Sequence, residues 1–210
     1  MSNLVSGVAR KNDRIRRLLQ EIEFAAWKLS DGEKLPTLAK YRLFRNYIRS
    51  KNIRTVIETG TYLGDFVTYL RRDFDMLYSI ELSESLYRQA MRRVKNVNNV
   101  SLFCGDSSKI LPVVLNSISS QCGFWLDAHA SGGITAKGSE ETPIQDELRS
   151  IMEHARSRKL DHVILVDDAS CFGRIEGYPN LFALENLVSE YDRKWQINIM
   201  NNIIIIAGSQ

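Results

Sequence analysis

The chain has 210 residues, and its hydrophobic fraction of 44% and charged fraction of 25% are typical of a globular domain with a sizeable core. A net charge of +3 gives no reason to expect a nucleic-acid partner, and the longest apolar run, 203–207, is too short to span a membrane. Three cysteines without C-x-x-C spacing and an N-terminus without an apolar stretch predict reduced thiols and a cytoplasmic protein.

The first 50 residues are predicted to form a helical extension in front of a main domain over 51–210. Apolar residues recur at helical spacing at Ile15, Leu18, Leu19, Ile22 and Ala26. A second helix is predicted after Pro36. We interpret both as helices with a solvated outer face. The alternative is a lid or a dimerisation element, so a homo-oligomer is an open expectation.

From residue 53 onward the sequence alternates between strand and helix patterns. The predicted strands are 53–58, 76–81, 100–104, 122–127 and 162–167, and the predicted helices are 64–72, 83–95, 107–119, 142–158 and 179–191. Two β-rich runs follow, joined by Asn201 and Asn202, which favours a hairpin with a two-residue turn. This pattern predicts an α/β fold with a mostly parallel, doubly wound sheet and an antiparallel C-terminal hairpin.

The stretch 53–65 combines a buried strand, an acidic residue and a glycine turn that opens into a helix. Such a turn lets a nucleotide-like ligand approach the backbone closely. Thr59 stands where a dinucleotide-binding loop has its first glycine, so that fingerprint is not matched. The pattern E-x-G-x-x-x-G, from Glu58 to Gly64, resembles motif I of the class I S-adenosylmethionine (SAM) methyltransferases. A purely structural turn is the alternative.

This resemblance implies a seven-stranded Rossmann-like sheet and SAM as the cofactor. Glu81 ends the second strand, 23 residues after Glu58, where an acid would accept hydrogen bonds from the ribose hydroxyls. Its alternative role is a helix N-terminal acid. Asp106 follows the third strand, where the family often places an acid against adenine. The implied cofactor-binding residues are Glu58, Gly60, Tyr62, Gly64, Glu81, Asp106, Ser107 and Asp127.

Asp127 follows the fourth predicted strand, and Asp167 and Asp168 follow the fifth. Three carboxylates at neighbouring strand ends repel one another unless a hard cation lies between them. The layout resembles metal-dependent O-methyltransferases of the catechol type and of the macrocin type, which act on sugars. It implies that these three residues bind Mg²⁺. In the alternative interpretation Asp127 contacts the substrate without a metal and Asp168 caps a turn.

His129, Asp127 and Lys137 are the predicted catalytic residues. His129 could take the acceptor proton, since its pKa is near neutrality, or it could be structural. Lys137 lies in a glycine-rich loop, 130–142, where it could act as a base, bind an anionic acceptor or be solvated.

The predicted function is SAM-dependent, Mg²⁺-assisted O-methylation of a sugar or small metabolite, with no nucleic-acid or membrane partner. The alternatives are metal-independent O- or N-methylation with His129 as base, and a catalytically silent nucleotide-binding module.

Overall fold

The computed structural model describes residues 13–28, 35–127, 142–175, 177–192 and 194–208. Within these ranges the chain forms one seven-stranded sheet in the order β3-β2-β1-β4-β5-β7-β6. The strands are β1 (Thr55–Thr59), β2 (Met76–Glu81), β3 (Val100–Cys104), β4 (Cys122–Leu126), β5 (Val163–Val166), β6 (Trp195–Met200) and β7 (Ile203–Gly208). The first five are parallel, and β7 is antiparallel to both β5 and β6. The predicted Rossmann-like sheet is confirmed.

Seven α-helices and one short 3₁₀ turn accompany the sheet in the described ranges. The helices are α1 (Asp13–Lys28), α2 (Thr37–Ser50), α3 (Asp65–Leu70), α4 (Glu84–Val94), α5 (Ser107–Asn116), α6 (Ile144–Arg158) and α7 (Leu181–Tyr191). None of these helices is both long and apolar enough to cross a membrane.

The strand register brings the carboxyl ends of the parallel strands to one edge of the sheet. Thr59, at the end of β1, pairs with Leu126 of β4, and Leu126 pairs with Val166 of β5. The strand order reverses between β1 and β4, and open α/β sheets bind ligands in the crevice at such a point. The fold therefore places the predicted site residues after β1, β2, β4 and β5 along one crevice.

The hairpin between β6 and β7 turns on two residues. Asn201 and Asn202 have φ angles of 53° and 64°, which is the left-handed region that a type I′ turn requires at both positions. Asparagine tolerates this region better than most residues. The hairpin predicted from the Asn-Asn pair is confirmed.

Two apolar layers cover the sheet, and α2 belongs to one of them. Phe44 and Ile48 of α2 are fully buried, and the Phe44 ring lies 5.8 Å from that of Trp125 in β4. A side chain at Gly123 would come within 2.7 Å of Ile48, so the glycine lets α2 lie directly against β4. The second of the two N-terminal helices is thus part of the core of the main domain.

Helix α1 lies outside this layer. The guanidinium of Arg42 in α2 lies over the Phe24 ring of α1, and Arg42 also pairs with Glu21. Leu18 and Ile22, on the apolar stripe seen in the sequence, are 61% and 55% exposed. The role of residues 1–50 as a lid or dimerisation element stays a prediction.

Candidate active site

The loop between β1 and α3 is a tight turn in the left-handed backbone region. Gly60, Tyr62 and Gly64 have φ angles of 85°, 50° and 75°. The Gly60 N–H donates to the carbonyl of Ile80 in β2 at 2.9 Å, which fixes the loop against the next strand. A side chain at Gly64 would lie 3.2 Å from the Ala90 methyl group, so the loop also needs glycine for its close approach to α4.

Glu81 joins this loop to the end of β2. Its carboxylate accepts the Tyr62 N–H at 2.7 Å through one oxygen and the Ser83 N–H at 2.9 Å through the other. The Leu82 N–H also acts on this carboxylate and lowers its pKa. A carboxylate has about four lone-pair positions, so room remains for a further donor. Burial raises the pKa of Glu81, and these backbone bonds oppose the rise. The residue can therefore hold the loop and still accept a hydroxyl group of a ligand.

Glu58 lies beneath the loop and faces the interior. It is buried and accepts a hydrogen bond from the hydroxyl of Ser79. Burial raises its pKa well above the usual value; the Ser79 bond opposes this rise, and Asp127 adds to it. The observed role of Glu58 is to fasten β1 to β2 below the crevice, and its predicted cofactor contact stays a prediction.

Asp106 is the N-cap of α5. Its Oδ1 accepts the Ser108 N–H at 3.0 Å and the Ser108 hydroxyl at 2.7 Å, which satisfies a free donor at the start of the helix. Ser107, the first residue of α5, is buried. Both residues lie at the carboxyl end of β3, as predicted, and their contact with adenine stays a prediction.

The ends of β4 and β5 border a cleft. Its lining combines acidic, aromatic and aliphatic side chains: Leu126, Asp127, Thr142, Ile144, Glu147, Val166, Asp167, Phe172 and Tyr178. The structure thus brings together Asp127 and Asp167, which the sequence placed at neighbouring strand ends. Asp168, the next residue, has a φ of 55° and accepts a hydrogen bond from the side-chain amide of Asn202 at 3.2 Å.

Lys40 of α2 reaches this acidic group. Its ammonium lies 2.7 Å from both carboxylate oxygens of Asp167 and 3.6 Å from Asp168. Burial and the charge of Asp127 raise the pKa of Asp167 to about 6, and Lys40 opposes this rise. Burial lowers the pKa of Lys40, but Asp167 outweighs it and the net pKa is raised. At neutral pH an ammonium therefore faces a carboxylate.

The predicted magnesium site does not fit this arrangement. A hard cation needs several oxygen ligands directed at one point, but both oxygens of Asp167 are directed at the Lys40 ammonium. The ammonium has no lone pair to offer a metal and repels one by its charge. In the described part of the chain, no group of three or more acidic, histidine or cysteine side chains is placed to hold a metal ion. The sequence prediction missed Lys40, which no motif singles out.

Glu147 is a second residue that sequence reasoning missed. It lies in the first turn of α6, is fully buried and lines the cleft. The hydroxyls of Ser107 and Thr59 lie near enough to lower its pKa, but neither Glu147 oxygen makes a well-oriented hydrogen bond to a described residue. Burial dominates and raises the pKa to about 7. A signal was present, because position 147 lies on the same helix face as the apolar residues 144, 148 and 151.

The predicted catalytic residues His129 and Lys137 lie outside the described residues, as does most of the 130–142 loop. The other two histidines form a buried pair at the amino-terminal ends of β4 and β5, away from the cleft. His154 Nδ1 and His162 Nε2 are 2.9 Å apart, and the Cys122 N–H donates to His162 Nδ1 at 3.1 Å. This pair is structural.

The fold has many counterparts among solved structures, although no protein-family model and no curated protein sequence matches this chain. An O-methyltransferase from Bacillus cereus in complex with SAH aligns over 95% of this chain and 91% of its own, with a TM-score of 0.59 and 14% identity. The O-methyltransferase TomG from Streptomyces achromogenes is involved in tomaymycin synthesis and was solved with SAM. It aligns over 81% of this chain and 79% of its own, with a TM-score of 0.52 and 15% identity.

An rRNA methylase from Streptococcus thermophilus covers 80% of this chain and 96% of its own, with a TM-score of 0.51 and 13% identity. Proteins with different acceptors therefore share this architecture, and identities this low speak for the fold alone. The chain has the fold of the class I SAM-dependent methyltransferases.

Proposed function

We propose that this protein transfers a methyl group from SAM to a hydroxyl group of a sugar or small metabolite. The observation that carries the proposal is the clamp between Glu81 and the Tyr62 N–H on this fold. A carboxylate at the end of β2 fixes the glycine loop after β1 and keeps a lone pair for a ribose hydroxyl. The left-handed turn at Gly60 and Gly64 leaves the backbone open to a ligand.

Bound SAM supplies an electrophilic methyl group. Glu81 would hold its ribose, and the cleft at the ends of β4 and β5 would hold the acceptor. Asp127 and Asp167 line that cleft and can accept hydrogen bonds from the acceptor hydroxyl, which orients it for the transfer. The base that takes the hydroxyl proton stays a sequence-based assignment to His129.

The chemistry of the cleft supports a small polyhydroxylated acceptor. Carboxyl groups from Asp127 and Asp167 offer hydrogen-bond acceptors, and the half-buried Tyr178 offers a ring surface of the kind that covers the apolar face of a sugar. The same acidic lining repels phosphate groups, which argues against a nucleic-acid acceptor. It would attract an amine, so N-methylation of a small cationic acceptor is the second candidate.

Calorimetric titration with SAM tests the cofactor assignment. We expect Glu81→Ala to weaken SAM binding at least roughly tenfold, because hydrogen bonds to a charged group contribute about 1.5–3 kcal/mol each. Glu84→Ala is the matched control: it removes an exposed acid from the same turn and should leave the affinity unchanged. Equal SAM affinity in both variants would contradict the assignment of Glu81.

Formation of SAH in the presence of sugars, other hydroxyl compounds and small amines then tests the reaction. Hydroxyl acceptors should support turnover and Glu81→Ala should reduce it. Turnover only with amines would favour the second candidate. SAM binding without turnover on any of these compounds would favour a catalytically silent module.

A further inference from the structure

The Lys40 ammonium makes the most symmetric ionic contact in the described part of the site. It lies at equal distances of 2.7 Å from the two oxygens of Asp167 and also approaches Asp168. Both partners are largely buried, with exposed side-chain fractions of 16% for Lys40 and 6% for Asp167. A lysine and an aspartate 127 positions apart in sequence meet where the acidic strand ends converge.

The packing of α2 on β4 determines this position. Ile48 rests against Gly123, and Lys40 lies eight residues earlier in the helix, which corresponds to about 12 Å along its axis. Asp127 lies four residues beyond Gly123, about 13 Å along the strand direction. The two lengths agree, so the contact of Ile48 with Gly123 places Lys40 beside the carboxyl ends of the strands.

The charges around Lys40 are those that a metal-dependent site would present to its cation. Asp127 and Asp168 act on the ammonium by their charge, in addition to the bonded Asp167. One ammonium offsets part of this negative charge without any ligand geometry to satisfy, whereas Mg²⁺ requires near-ideal octahedral coordination. A metal ion would have to displace Lys40 from Asp167 before it could bind.

We propose that Lys40 serves as a built-in cation that takes the place of a divalent metal, so that the acidic cluster works without one. Lys40 is a positioning residue: it acts through Asp167, which it holds in one orientation at the acceptor cleft. The benefit to methyl transfer rests on the proposed function. The proposal that the ammonium replaces a metal ion does not depend on the proposed function, and it can be tested without measuring turnover.

Binding of Mn²⁺, followed by the loss of the free-ion signal in electron paramagnetic resonance, is the direct test. The parent protein should not bind Mn²⁺ at millimolar concentration. Lys40→Met removes the charge and keeps much of the length of the side chain, and it should bind one Mn²⁺ at least roughly tenfold more tightly than the parent, because the carboxylates then lack a counter-ion. Adding Asp167→Asn to Lys40→Met should abolish this gain. Lys40→Arg, which keeps the charge, should not bind Mn²⁺.

Lys194→Met is the matched control, since it breaks a lysine–aspartate pair of 2.8 Å on the protein surface. It should leave Mn²⁺ binding as in the parent. Tight Mn²⁺ binding by the parent would overturn the proposal, since a metal would then displace Lys40. So would a folded Lys40→Met without any gain in affinity. If Lys40→Met does not fold, Lys40→Gln takes its place. Tighter Mn²⁺ binding by Lys40→Gln than by the parent supports the proposal, and a folded Lys40→Gln without this gain overturns it. SAM calorimetry on the same samples reports separately on the proposed function.

Discussion

Glu147 shows how a single buried acid can couple stability to pH. The pKa of its carboxyl is raised by burial from 4.5 to about 7. Below about pH 4.5 the group is protonated in both the folded and the unfolded chain, and its burial then has no ionic cost. Between about pH 4.5 and pH 7 the unfolded chain has released this proton while the folded chain still holds it, so stability falls as pH rises and the loss is complete above the folded pKa of about 7.

Glu147→Gln should therefore stabilise the protein in mildly alkaline solution. The amide keeps the shape and carries no charge, so the gain should reach up to about 3 kcal/mol near pH 8 and shrink towards pH 5. Urea unfolding at several pH values measures this difference. Glu153→Gln, at an exposed position on α6, is the control for the removal of one negative charge from the same helix. A Glu147→Gln variant that is less stable at every pH would mean that the carboxylate is ionised and well hydrogen-bonded.

The turn between β6 and β7 links the last two strands to the acidic site. Asn202 donates through its side-chain amide to Asp168, and its side-chain oxygen accepts the Ser170 N–H at 2.7 Å. Asn201 has the same left-handed backbone without a side-chain bond in the described contacts. Both positions need a left-handed backbone, but only Asn202 also bonds to the site through its side chain. A comparison of the two therefore distinguishes the effect of backbone conformation from that of the side-chain contacts.

Asn202→Gly and Asn201→Gly form a matched pair for this element. Glycine accepts the left-handed backbone at both positions. Asn202→Gly should cost about 1–3 kcal/mol of unfolding free energy, because it removes two side-chain hydrogen bonds next to Asp168. Asn201→Gly should stay within about 0.5 kcal/mol of the parent. Denaturant unfolding compares them, and equal losses would show that the side chain of Asn202 adds nothing.

The histidine pair connects α6 to the amino-terminal ends of β4 and β5. The Cys122 N–H donates to His162 Nδ1, so His162 carries its proton on Nε2 and donates to His154 Nδ1. His154 then donates from Nε2 to the carbonyl of Ile118 at 3.0 Å. This chain satisfies both rings in their neutral forms.

Burial, together with His154, lowers the pKa of His162 to about 4. Its contribution to stability is present above about pH 6.5 and is lost as pH falls through 4. Nitrogen chemical shifts in NMR spectra should show a neutral, Nε2-protonated His162 ring down to about pH 5, whereas this residue should titrate near about 6.5 in the denatured protein. An imidazolium signal from His162 near pH 6 would contradict the assignment.

At the scale of the whole molecule, the sequence predicted the architecture far better than the site. The strands 76–81 and 100–104 match β2 and β3 residue for residue, because apolar runs between turn residues define them locally. Lys40 could not be found in this way, since its position depends on a contact between Ile48 and Gly123 that no local pattern contains. Glu147 could have been found, as a charged residue on an otherwise apolar helix face.

The position of β7 between β5 and β6 has a consequence for the folding of the protein during its synthesis on the ribosome. The outer edge of β5 finds its partner only in residues 203–208, the last strand of the sheet to be synthesised. Until they emerge, the nascent chain presents an apolar, unpaired strand edge, the kind of surface that invites aggregation and chaperone capture. Asn202 emerges at the same stage and bonds to Asp168. The sheet and the Asn202 contact with Asp168 are thus completed at the same late stage of synthesis, and a chain stalled before residue 202 would lack both.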